Sequence, residues 1–84
     1  MKLYSAKGAN SPRKVLIFIA EKNISDIEVI NLDLMQGEHK SQEYRAIAPN
    51  AKVPALVLDD ETIITESTAI CRYLEDLYPE PSLF

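Results

Sequence analysis

Two stretches of this 84-residue chain have residue types and spacing suited to holding a ligand. Lys52-Val53-Pro54 sets a proline at the mouth of an apolar run, and Thr65-Glu66-Ser67-Thr68 opens a helical pattern whose first turn is polar. A residue before proline is pushed into an extended conformation. The first turn of a helix has N–H groups with no intrahelical acceptor. Both are places where a fold can turn backbone hydrogen-bonding groups toward a ligand. Each also has a plainer reading: Pro54 can simply start an edge strand, and Thr65 can be the N-cap of a helix whose first turn favours Glu66 and Ser67. At the helix start both readings can hold together, because several N–H groups need partners there.

The elements that would position these stretches can be read in chain order. Residues 2–6, with Leu3 and Tyr4, suit a short strand, broken by Gly8-Ala9-Asn10-Ser11-Pro12. Ser11 before Pro12 predicts a helix N-cap followed by proline at the first helical position, where the missing N–H costs nothing. Val15, Phe18 and Ile19 recur at helical spacing, with Arg13, Lys14, Glu21 and Lys22 on other faces and Asn23 as the stop. Ile27-Glu28-Val29-Ile30-Asn31-Leu32 is rich in β-branched residues and predicts a second strand. A strand, a helix and a strand over so short a span imply a right-handed crossover and parallel pairing.

Residues 34–41 read as a polar loop and residues 41–48 as a short helix through Tyr44 and Ile47. Pro54-Ala55-Leu56-Val57-Leu58 and Thr62-Ile63-Ile64, joined by Asp59-Asp60-Glu61, predict an antiparallel hairpin with an acidic turn. The last helix is expected to begin at Thr65 or Glu66, with Ala69, Ile70, Tyr73, Leu74 and Leu77 as apolar positions at helical period, and to stop at Pro79 and Pro81. The order is β-α-β-α-β-β-α, an α/β sandwich with a four-stranded mixed sheet and helices on its faces. Residues 79–84 are turn-rich and end on Leu83 and Phe84, as the start of a linker would.

Composition narrows the partners. Hydrophobic content of 46% with 26% charged residues fits one small folded domain over residues 1–84. A net charge of −4 disfavours nucleic acid, whose phosphates call for a basic stripe. Cys71 is the single cysteine, so there is no internal disulfide, no Cys-x-x-Cys pair and no expected metal cluster, which fits a reducing compartment. No apolar run approaches the roughly 20 residues of a membrane span, and the first ten residues lack a signal-peptide core, so the expected location is cytoplasmic.

With these motifs in order, the chain resembles the N-terminal, thioredoxin-like domain of cytosolic glutathione transferases of the bacterial or serine-type classes, over essentially its whole length. Asn50-Ala51-Lys52-Val53-Pro54-Ala55-Leu56 and Thr65-Glu66-Ser67-Thr68-Ala69-Ile70 are similar to the family's two glutathione-binding stretches, and Gly37-Glu38-His39-Lys40-Ser41 to a third. The resemblance implies a cis Val53–Pro54 bond, with the Val53 N–H and C=O pairing with the cysteinyl backbone of the ligand as a one-residue strand addition. It implies that Glu66 and Ser67 receive the γ-glutamyl carboxylate at a helix N-terminus. His39 and Lys40, or Lys52, would meet the glycine carboxylate; for His39 and Lys40 a solvated loop pair is the plainer reading.

Such a transferase needs a donor that holds the ligand thiol as thiolate, against a free pKa of about 8.5. The resemblance points to Ser11, with Asn10 as the second candidate in a slightly different register; Tyr4 lies too early to match the tyrosine classes. A plain N-cap role would compete for the Ser11 hydroxyl. No cysteine stands in this loop, which argues against disulfide exchange by a protein thiolate. Cys71, inside the last helix, reads as a small packed residue.

The implied function is glutathione binding and thiol activation for attack on a small electrophile. Two alternatives share the scaffold: a non-catalytic interaction module, and a glutathione-dependent peroxidase or reductase. Family members carry a helical C-terminal domain that supplies the electrophile pocket and much of a homodimer interface. Without it, these 84 residues are expected to hold half an active site, with weak glutathione affinity and little turnover.

Overall fold

Pairing around the first strand builds the sheet. A computed structural model describes residues 1–7 and 9–83; Gly8, to which part of the break after the first strand is assigned, and Phe84, the last residue of the linker-like stretch, lie outside them. β1 (Lys2–Ser5) pairs parallel with β2 (Glu28–Asn31) and antiparallel with β3 (Ala55–Val57), and β3 pairs antiparallel with β4 (Ile63–Ile64). The strand order is β2-β1-β3-β4. Helices α1 (Asn10–Glu21), α2 (Gln42–Ile47) and α3 (Ser67–Leu77) complete the expected β-α-β-α-β-β-α order.

Alternation along the two central strands divides the core. Leu3 and Leu56 face α1 and α3 and pack with Val15, Phe18, Ile70 and Leu74. Their chain neighbours point the other way: Tyr4 and Ala55 meet Tyr44 and Ala48 beneath α2. Helices therefore lie on both faces of a mixed sheet. Cys71 is fully buried with the first cluster, as its reading as a packed residue requires, and burial pushes its thiol pKa up.

Several local expectations shift. The N-cap of α1 is Ala9, not Ser11, and no side chain caps the helix. Pro12 is thus the third helical residue, still within the first turn where its missing N–H loses no bond. The N-cap of α3 is Glu66, so Thr65 is not the cap, and again no side chain caps the helix. Ser41 does cap α2, its Oγ accepting from the Tyr44 N–H at 3.1 Å. The loop before it contains a 3₁₀ turn over Glu38–Lys40 where no helix was expected. The hairpin turn is the acidic one: the Leu58 N–H donates to Thr62 O at 2.8 Å, Glu61 has φ 70°, and the Asp60 carboxylate accepts from the Thr62 N–H at 3.0 Å.

Lys22 departs furthest from its reading as an outer-face residue, being 5% exposed. Its ammonium pairs with Glu75 Oε1 at 2.9 Å, donates to the carbonyls of Tyr78 and Pro81, and lies over the Phe18 ring. A buried ammonium is tolerated when its donors are all engaged. Here they clamp the segment after α3 back onto α1. Glu75 also accepts from the Leu83 N–H at 3.1 Å.

Candidate functional site

The antiparallel pairing of β1 with β3 sets Pro54 beside the end of β1, and the chain leaving β1 enters α1 almost at once. The start of α1 and the loop before β3 therefore meet at one edge of the sheet. The hairpin then returns the chain to the same edge, where α3 begins. Between these three pieces lies a cavity of about 230 Å³ lined by Ser11, Asn50, Lys52, Val53, Pro54, Thr65, Glu66 and Ser67.

The cavity is bounded by two helix N-termini, each without a side-chain cap. The Glu66 carbonyl accepts the first intrahelical bond of α3, from the Ile70 N–H at 2.8 Å. The N–H groups ahead of it, with the helix dipole behind them, favour an anion. Lys14, in the second turn of α1, donates to Thr68 Oγ1 in the first turn of α3 at 3.0 Å, so the N-terminal parts of the two helices are tied together.

The Val53–Pro54 peptide bond is cis. Pro54 is buried and Val53 half-buried. No hydrogen bond joins the Val53 N–H or C=O to any described residue, although Val53 lines the cavity. The loop leading to it is held at two points. Ala51, in the left-handed region at φ 56°, donates its N–H to Ala48 O at 2.9 Å, and the Tyr44 hydroxyl donates to Lys52 O.

Six of the nine residues singled out in the sequence line this cavity: Ser11, Lys52, Val53, Pro54, Glu66 and Ser67. Asn10, the first residue of α1, is exposed and is not among the lining residues. His39 and Lys40 sit in the 3₁₀ turn, also away from the lining residues. His39 Nδ1 is buried with no hydrogen-bond partner among the described residues. Asn50 and Thr65 line the cavity but were not singled out. Asn50 stands two residues before Lys52 in the same stretch, and Thr65 was read only as a cap.

A second cavity, about 620 Å³, lies at the opposite end of the sheet and includes Met1, Asp26, Glu28, Asp59 and Glu61. It is larger but carries the wrong chemistry for an anionic ligand. Its four carboxylates outnumber its two cationic groups, Lys2 and the Met1 ammonium, and the latter is already engaged by Asp59 Oδ1 at 3.0 Å. Among the described residues, no group of three or more His, Cys, Asp or Glu side chains is placed to hold a metal ion. No helix of the described residues is long and apolar enough to cross a membrane.

A mixed four-stranded sheet in this order, with a cis-proline beside a helix start, defines a thioredoxin-like domain. Comparison with known proteins narrows the class. The glutathione S-transferase N-terminal domain family matches residues 3–82. Glutathione S-transferase 2 of Saccharomyces cerevisiae is 39% identical over 84 residues, covering 99% of this chain and 36% of the yeast protein. A glutathione S-transferase domain-containing protein of Marinobacter aquaeolei VT8 superposes with a TM-score of 0.89 at 42% identity, covering 99% of this chain and 41% of that one. A glutathione transferase homologue from Sulfitobacter, solved with bound glutathione, superposes with a TM-score of 0.87 at 32% identity over 96% of this chain and 40% of its own. The chain belongs to the glutathione S-transferase N-terminal domain family. It spans about two fifths of the length of these relatives.

Proposed function

We propose that this chain is the glutathione-binding part of a glutathione transferase and that the cavity between α1, the Lys52-Val53-Pro54 loop and α3 receives the tripeptide. The observation that carries the reading is the unpartnered Val53 backbone in a cavity bounded by two uncapped helix starts. A relative of the same fold, crystallised with glutathione, supports it. The γ-glutamyl carboxylate lies at the first turn of α3 by Glu66 and Ser67, where free N–H groups and the Ser67 hydroxyl meet it. The cysteinyl backbone pairs with Val53, and Lys52 rather than His39 or Lys40 meets the glycine carboxylate, since Lys52 lines the cavity.

The sulfur then lies toward the start of α1. The thiol loses its proton to solvent, and the Ser11 hydroxyl donates to the thiolate. Ser11 is favoured over Asn10 because it lines the cavity and its hydroxyl is not spent as a cap. The thiolate forms a carbon–sulfur bond to a small electrophile, either adding across a π bond, whose electron pair then takes a proton from solvent, or displacing a leaving group that departs with its bonding pair. The relatives are about two and a half times as long as this chain, and a helical remainder of that kind supplies the electrophile pocket; the full protein is a cytoplasmic homodimer.

Titration calorimetry tests the ligand. The chain is expected to bind glutathione weakly, and Ser67→Ala to weaken binding about tenfold to a hundredfold, the worth of one hydrogen bond to a charged group. No heat with glutathione, or an unchanged Kd in Ser67→Ala, overturns the assignment.

A further inference from the structure

We propose that Tyr44 is a positioning residue for the ligand-binding loop, its hydroxyl holding the Lys52 carbonyl so that the Val53 N–H is presented to the cavity. The inference rests on the glutathione reading above and adds to it a residue on α2 that does not line the site.

The argument begins with one peptide unit. The Lys52 carbonyl and the Val53 N–H belong to the same planar group, and across a trans bond they point in opposite directions. The Lys52–Val53 bond is not among the cis bonds of the chain, which fall at Val53–Pro54 and Glu80–Pro81. Tyr44 OH donates to Lys52 O. Fixing that oxygen toward α2 directs the Val53 N–H away from α2. No other hydrogen bond joins the backbone of Lys52 or Val53 to the described residues. The Tyr44 contact is thus what sets the tilt of this peptide plane.

Tyr44 is itself well held. It is 3% exposed, its ring lies 5.4 Å from that of Tyr4 at 59°, and its N–H is capped by Ser41 Oγ. It forms one buried cluster with Ala48 and Ala55, and Val53, the residue it helps to aim, packs against that cluster. Burial, with Tyr4 adding to it, pushes the hydroxyl pKa to about 12. The hydroxyl therefore stays protonated, and a donor, throughout the neutral range. An unanchored pre-proline loop would have to be ordered on binding, at an entropic cost that falls on affinity.

Tyr44→Phe removes the one donor and keeps the ring. In the 84-residue chain it is expected to unfold cooperatively in urea, to shift the Val53 amide resonance in the free protein while leaving that of Ser67 in place, and to raise the glutathione Kd about fivefold to tenfold. Tyr4→Phe, in the same aromatic pair, is expected to leave both readouts at wild-type values. p-Aminophenylalanine at position 44, which restores a donor at the same point, recovers the affinity and serves as the comparison if Tyr44→Phe does not fold. An unchanged Kd in Tyr44→Phe, beside a wild type that binds, overturns the positioning role alone. A loss of affinity that p-aminophenylalanine fails to recover overturns it as well. A wild type that does not bind glutathione overturns the functional reading together with it.

Discussion

Ser11 shows how a side chain can be read correctly as polar and misread in its duty. Ser-Pro is a good N-cap signal, yet the helix begins at Asn10 with Ala9 as its cap. The hydroxyl is thereby left for a ligand. If it donates to the glutathione thiolate, Ser11→Ala is expected to raise the pKa of the bound thiol by about one unit, toward its free value of about 8.5, since a charge-assisted hydrogen bond is lost. Thiolate absorbance of the bound tripeptide followed against pH measures this. Asn10→Ala serves as the control, and the assignment falls if the two variants titrate alike.

The cavity-lining residues were legible to different degrees for physical reasons. Val53 and Pro54 are marked by the proline, which restricts the residue before it, and Glu66 and Ser67 by the polar opening of a helix; both signals are local. His39 and Lys40 have the right charge character but no such local constraint. Nothing in their spacing tells whether a 3₁₀ turn faces the cavity or stands aside from it.

At the scale of elements, α2 was the least regular pattern, and it carries the Tyr44 hydroxyl that donates to the Lys52 carbonyl of the proposed binding loop. It is six residues long, too short to be stable alone. Its Ser41 cap and its buried Tyr44 are what hold it. Ser41→Ala is expected to cost about 1 kcal/mol of stability, read from the urea midpoint, and to weaken glutathione binding in the same direction as Tyr44→Phe. Loss of stability with full retention of affinity would separate α2 from the site. The strands were easier to read: β-branched runs and the acidic hairpin turn appear where expected, with the ends trimmed by a residue or two. Such trimming reflects where pairing partners run out, which no strand determines by itself.

At the scale of the whole molecule, the clamp formed by Lys22, Glu75 and the carbonyls after α3 closes the fold on itself. Hydrogen bonds from Lys22 and then from the Leu83 N–H hold the Glu75 carboxyl below its ordinary value of 4.5. A carboxylate with a depressed folded pKa contributes stability that is fully present above its unfolded pKa and is lost as pH falls through the folded one. Stability is therefore expected to decline below about pH 4.5, with loosening of residues 78–83 seen by hydrogen exchange. Glu75→Gln should flatten that part of the profile. A residual slope remains from Asp60, whose carboxyl the Thr62 backbone N–H also holds low. An unchanged acid profile in Glu75→Gln would show that the clamp does not couple to pH.

Much of this architecture follows from neighbours along the chain. Alternation in Leu3-Tyr4 and Ala55-Leu56 assigns the two faces of the sheet, the proline sets an extended residue before it, and the run of polar residues at 65–68 marks a helix start; all are short-range sterics and patterning. Which polar groups share a cavity is a different matter. Ser11, Val53 and Ser67 are far apart in sequence and meet because β1 pairs antiparallel with β3. The burial of Lys22 likewise depends on carbonyls more than fifty residues away. Side-chain type and local spacing are silent about such encounters, because the free energy that brings them about is shared among all the strands and helices that pack between.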